Sequence, residues 1–139
     1  MKKIVGILIL FSLCVGLCAC GGTVGGGSSS LYAKVTLANG TTETTDVGEI
    51  PDLCSENAVA FNQKYAGQKV EVVDKVSDIS NGYGTYGFIM IDTANGWSIC
   101  LKNDDPVIAD LRDGNIVKIV GELVTNSVTI QNAKVTIIK

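Results

Sequence analysis

From residue 69 onward, apolar side chains recur at every second position, the period of strands with one buried face. Val70, Val72, Val76 and Ile79 define a long first strand. Its alternation slips a phase near Val73-Asp74, which predicts a β-bulge there. Phe88-Ile89-Met90-Ile91 gives a second strand and Trp97-Ser98-Ile99-Cys100-Leu101 a third, joined across an Asn95-Gly96 hairpin signal. Residues 104–111 predict a short helix, with an Asp pair to cap it and Pro106 in the first turn. Asp113-Gly114 makes a turn into a fourth strand over residues 116–124, interrupted by Gly121, and residues 128–138 make a fifth.

Upstream the period changes. Residues 32–45 read as a hairpin: Val35 and Leu37 alternate with Lys34 and Thr36, and Asn39-Gly40 is the residue pair of a type I′ turn. Its Thr-rich return strand carries few apolar groups, so the hairpin is expected at the periphery. Ile50, Leu53, Cys54, Ala58, Phe61 and Tyr65 then recur at steps of three and four, the spacing of a single amphipathic helix. Pro51 fits its first turn, Glu49 and Asp52 complement the positive end of its dipole, and Gly67 is a natural stop.

Three strands, a short helix and two more strands is the plan of a mainly β, five-stranded Greek-key OB-fold barrel, here preceded by a hairpin and an amphipathic helix. The wording of the chain resembles the tRNA anticodon-binding-like OB family found in bacterial lipoproteins. Asn57, Ala58, Asn62, Tyr65, Gly67, Val70 and Val76-Ser77-Asp78-Ile79 look like its opening. Residues 111–121, from Leu111-Arg112-Asp113-Gly114 to Val120-Gly121, resemble its later turn and V-x-V-x-G strand. The chain departs from that family at Asp74, where a small glycine is expected. The resemblance covers roughly residues 50–138, with the barrel over about residues 69–138 of a domain spanning 31–139. It implies a fold; activity has to be argued from a site.

The first residues carry a different signal. Lys2 and Lys3 precede an almost wholly apolar run, residues 4–19, which is short of the ~20 residues a spanning helix needs and has the form of a secretory signal peptide. It ends in Leu17-Cys18-Ala19-Cys20, which resembles the bacterial lipobox. That resemblance implies cleavage after Ala19, lipidation of the Cys20 thiol and a protein anchored in a bacterial cell envelope with its domain outside the cytoplasm. Residues 21–30 are Gly, Ser, Thr and one Val, a flexible spacer reaching roughly 15–20 Å.

Removing residues 1–19 takes Lys2 and Lys3, and no acid, from 11 basic and 14 acidic residues, leaving a net charge of −5. Nucleic-acid binding draws on Lys/Arg–phosphate contacts, so the balance argues against such a partner. With Cys20 acylated, Cys54 and Cys100 remain; in an oxidising compartment they form either a disulfide or two buried free thiols. OB-folds bind ligands on the face of strands two and three, which directs attention to Tyr83, Tyr86 and Trp97 as candidate ligand-binding aromatics; of the aromatics in this region Phe88 and Trp97 are the ones that core and hairpin packing also explain. Apart from bordering Lys102 no cation accompanies them, which suits a protein or envelope-component partner, or an oligosaccharide, better than a phosphate backbone. The chain has no His, and neither a catalytic set, a metal site nor a cofactor loop is legible. The expectation is a non-catalytic binding module without cofactor or metal.

Overall fold

A computed structural model describes residues 30–81 and 87–139. The signal segment, Cys20, the spacer, Tyr83 and Tyr86 lie outside the described residues. Strands β1 (Tyr32–Thr36) and β2 (Thr42–Thr45) form the first hairpin. Helices α1 (Glu49–Glu56) and α2 (Ala58–Tyr65) follow, then β3 (Lys69–Ser80), β4 (Phe88–Thr93), β5 (Ser98–Lys102), a 3-10 turn at Pro106–Ala109, β6 (Ile116–Leu123) and β7 (Thr129–Ile137).

Pairing runs β3-β4-β5-β7-β6 and closes through β6 onto β3. All barrel contacts are antiparallel except β5 with β7, which run parallel. This is the OB-fold barrel that the strand pattern predicts. Its closure depends on the length of β3, whose first half pairs with β6 (Lys69↔Glu122 through Lys75↔Ile116) and whose second half pairs with β4 (Val76↔Thr93 through Ser80↔Met90).

The core is built from the inward positions of these strands, among them Val70, Val72, Val76, Ile91, Ile99, Leu101, Val117, Ile119, Leu123 and Ile130. Cys100, between two of them, is half-buried on the outer side, as strand alternation predicts. The 3-10 turn is capped by Asp105, whose side chain accepts from the Val107 N–H at 3.0 Å.

The structure corrects five details. First, the hairpin is not peripheral. β1 pairs with β3 on the edge away from β6 and buries Ala33 and Val35, so the barrel sheet continues into β1 and β2. Second, its turn is not type I′: Gly40 has φ +83°, Asn39 is not in the positive-φ region, and Leu37 N donates to the Thr41 carbonyl. That is a three-residue loop with glycine at its left-handed position, and Gly96 (φ +90°) plays the same part between Thr93 and Trp97.

Third, the amphipathic helix is two helices. Asn57 leaves helical geometry (φ −149°, ψ 79°), and its side chain caps α2 by accepting from Ala60 N at 3.0 Å. An asparagine competes for backbone donors in this way and makes a better cap than a helix interior residue. Ile50, Phe61 and Tyr65 are buried, whereas Ala58 turns to solvent.

Fourth, the irregularity of β3 lies between Val76 and Asp78, not at Val73-Asp74. The β3–β6 register is unbroken from Lys69 to Lys75, and Asp74 occupies an inward position at 0% exposure, while Val73 is buried on the opposite face. Ser77 is the extra residue that resets the phase, so Val76 and Ile79, three apart, both face inward. A carboxylate at an inward position imitates a slip of phase when it is assumed to face water.

Fifth, Gly121 does not break β6 but lets β7 cross it closely. A Cβ there would stand 2.5 Å from Ile130 Cγ2 and 2.7 Å from the Gln131 carbonyl oxygen. Opposite it the β6–β7 register shifts, with Val120↔Lys134 on one side and Glu122↔Gln131 on the other. Two β7 residues, Asn132 and Ala133, stand opposite the single Gly121, one more than regular pairing allows, and Asn132 takes a left-handed conformation, φ +51°.

Candidate functional site

The outward face of β4 and β5 is set by three cross-strand pairs: Phe88↔Lys102, Met90↔Cys100 and Asp92↔Ser98. Phe88 is 42% exposed. Met90 and Cys100 are half-buried beside it. At the far end the Ser98 hydroxyl donates to Asp92 Oδ1 at 2.5 Å. The face therefore grades from an apolar end at Phe88 to a polar end at Asp92. Lys102 is its cation among the described residues, against Asp78 and Asp92 on adjoining strands and Asp104 and Asp105 just beyond β5. Such a surface lacks the basic track that a single-stranded nucleic acid needs.

Trp97 is not on this face. Its indole is 0% exposed and its N–H donates to the Val47 carbonyl at 2.7 Å. The ring joins the barrel to the segment before α1 and is a core residue. Phe88, expected in packing, is instead the exposed aromatic of this face among the described residues. Aromatic content alone did not separate the two roles. Position in the ladder does: Trp97 immediately precedes β5, two residues before inward Ile99, whereas Phe88 begins β4 three before inward Ile91.

Cys54 and Cys100 are free thiols and no bridge joins them. Cys54 lies on α1 against the hydrophobic core, and burial raises its thiol pKa above the ordinary value. Cys100 belongs to the outer face of β5.

Two of the concave regions among the described residues border β5 or the turn that leads into it. The larger, about 620 Å³, lies between α1 and the two turns β4–β5 and β6–β7, lined by Pro51, Asp52, Ser55, Asn95, Asn126 and Ser127 among others. Asn126 takes a left-handed conformation (φ +59°) and is held by Asn62 of α2, which accepts from its backbone N–H at 2.7 Å and donates to its side-chain oxygen. The second, about 350 Å³, opens at the mouth of β5 between residues 100–102, Phe88, Pro106 and β7 residues Asn132 and Ala133. No three His, Cys, Asp or Glu among the described residues are grouped to hold a metal ion, and no described helix is long and apolar enough to cross a membrane.

The polar scaffold that fixes these surfaces centres on Asp74. One carboxylate oxygen accepts from Lys75 N and Asn95 Nδ2, both at 2.7 Å, and the other from Asn95 N at 3.2 Å. It thus pins the β4–β5 turn to β3. On the outside of the sheet, Glu71 accepts from the Tyr32 hydroxyl at 2.6 Å and pairs with Lys118 at 2.9 Å. The Tyr32 hydrogen bond, and after it the Lys118 ammonium, hold the Glu71 carboxyl below its ordinary value of 4.5. A lowered carboxylate stabilises the fold above its unfolded pKa, and that contribution disappears as pH falls through the folded value. Glu71→Gln is therefore expected to flatten the acid limb of a plot of urea midpoint against pH, with little change in the slope around neutrality. An acid limb identical to the wild type would show that Glu71 is not so coupled.

No protein-family model, no curated protein and no solved structure matches the chain.

Proposed function

We propose that this is a lipid-anchored protein of a bacterial cell envelope, whose OB-fold is a non-catalytic module for binding a protein or envelope component. The observation that carries the binding assignment is Phe88, a large apolar ring 42% exposed at the mouth of a groove on the face that OB-folds use for ligands. The anchor assignment rests on Leu17-Cys18-Ala19-Cys20 behind a basic and apolar leader, in keeping with the resemblance to envelope lipoproteins of the tRNA anticodon-binding-like family. At least two acyl chains on Cys20 would make attachment firm, since each buried methylene contributes about 0.8 kcal/mol and one chain binds only reversibly.

Oligonucleotide binding is the weaker reading, because the face carries more carboxylates than cations. Titrating fluorescent single-stranded RNA and DNA with the soluble domain at moderate salt is expected to give no binding below about 10⁻⁶ M, the tight end for non-specific basic proteins. Salt-sensitive nanomolar binding would reverse the order of the two readings.

A further inference from the structure

β5 and β7 begin as a parallel pair, but their pairing stops at Ser98↔Thr129 and Ile99↔Ile130. β5 runs on to Lys102, and β7 turns away where Asn132 and Ala133 form the bulge over Gly121. Residues 100–102 are left with β4 on one side and, among the described residues, no strand on the other. The 350 Å³ groove fills that space: three consecutive β5 residues line one wall, which places it against the strand's edge, and Asn132 and Ala133 line the other.

The direction of the backbone groups follows from the ladder. Thr93 N donates to the Trp97 carbonyl and Asn103 N to the Gly87 carbonyl, so positions 97, 99, 101 and 103 bond toward β4. Residues 98, 100 and 102 bond away from it, as Ser98 N does in donating to the Val128 carbonyl. The Lys102 carbonyl is taken by Asp105 N at 3.0 Å, and the Cys100 N–H lies on the side of Ile130. By the same alternation the Cys100 carbonyl and the Lys102 N–H point away from β4, on the groove side, beyond the last β5–β7 ladder pair Ile99↔Ile130. One residue placed opposite Leu101 would engage both, continuing the parallel ladder that β7 abandons. Around this edge, Phe88, Pro106 and Ala133 offer apolar surface, and Asp104 and Asp105 outnumber Lys102.

We propose that this slot takes an extended peptide segment of a partner protein, which adds as a strand to the β5 edge at residues 100–102, seating an apolar side chain beside Phe88 and a basic one beside Asp104. Strand addition draws affinity from main-chain hydrogen bonds and selectivity from alternate side chains, and the slot supplies both. The commitment to a peptide comes from the paired donor and acceptor of the strand edge. The commitment to a basic residue comes from the local excess of carboxylates. The proposal rests on reading the domain as an interaction module and names the chemistry of its partner.

The test is to select random heptapeptides displayed on phage against the full mature protein in detergent micelles, then measure the enriched sequences as synthetic fluorescent peptides. Enriched peptides are expected to combine β-branched or aromatic residues with Lys or Arg. Methylating the backbone nitrogen that pairs with Cys100 should weaken binding about tenfold, the effect of one lost hydrogen bond. Phe88→Ala and Asp104→Asn should each weaken the unmethylated peptide several-fold. The methylated peptide leaves the protein untouched, so a folding defect in a variant cannot imitate its result. Peptides that bind with equal strength after methylation and to Phe88→Ala overturn the slot while leaving the interaction-module reading in place. A selection that enriches nothing overturns both.

Discussion

Replacing Trp97 with Ala is expected to bring the domain close to unfolding at room temperature. The indole is fully buried and ties the barrel to the Val47 carbonyl. Truncating a buried Trp costs about 3–5 kcal/mol, and the orphaned carbonyl adds about 1–3 kcal/mol. A domain of this size has roughly 5–15 kcal/mol in total. Trp97→Phe keeps most of the volume and loses the N–H, so its cost should be nearer the hydrogen-bond term alone, about 1–3 kcal/mol. Urea unfolding of residues 31–139 measures both. A Trp97→Ala protein with a near wild-type midpoint would mean that the ring is not in the core. The same pair of variants separates packing from ligand binding, since a surface stacking residue would lower affinity and leave the midpoint unmoved.

The second large effect is expected at Asp74. Replacing it with Leu preserves approximate size but removes the acceptor of three hydrogen bonds at a site with no exposure to water. Removing one partner from a buried charged network costs about 3–5 kcal/mol, because the donors left behind stay desolvated. Asp74→Asn keeps one acceptor oxygen and should cost less. Asn95→Ala removes the side-chain donor, and the Asp74→Leu/Asn95→Ala double variant should be destabilised by less than the sum of the singles, with a coupling of about 0.5–3 kcal/mol. Additive costs would show that the carboxylate does not act through the turn.

These two residues also show where the sequence was readable. The five barrel strands, their order and the capped turn at Asp105-Pro106 are visible in apolar alternation, because burial of one strand face imposes a period of two. Asp74 defeats that reading locally. Its inward position is compensated by Asn95, 21 residues away, and no window of alternation contains both. Asn57 defeats it differently: apolar spacing continues across the break between α1 and α2, while one side-chain hydrogen bond to Ala60 decides the backbone.

The strand order identifies the outer face of β4 and β5 but not which aromatic lies on it: packing is open to both Phe88 and Trp97 in the sequence, and only Trp97 is buried. The slot beside β5 leaves a trace in the spacing of apolar residues. Ile130 and Val135 both face inward although they stand five positions apart, and strict alternation cannot place an odd interval on one face. One extra residue in that stretch is required, and the bulge it forms is what frees the β5 edge. The partner strand that should have covered the edge is visible only once the parallel contact between β5 and β7 is known.

Attachment of the barrel to a membrane by lipid, as proposed, is read out at Cys20. The measurement is mass spectrometry of the protein purified from bacterial membranes after growth with a labelled fatty acid, alongside Cys20→Ala. The expected result is a mature chain that starts at Cys20 and carries labelled acyl groups on that residue, with the Cys20→Ala protein unlabelled and released from the membrane. An unmodified Cys20 in a membrane-bound wild-type chain, or a Cys20→Ala protein that still takes up the label, would contradict it.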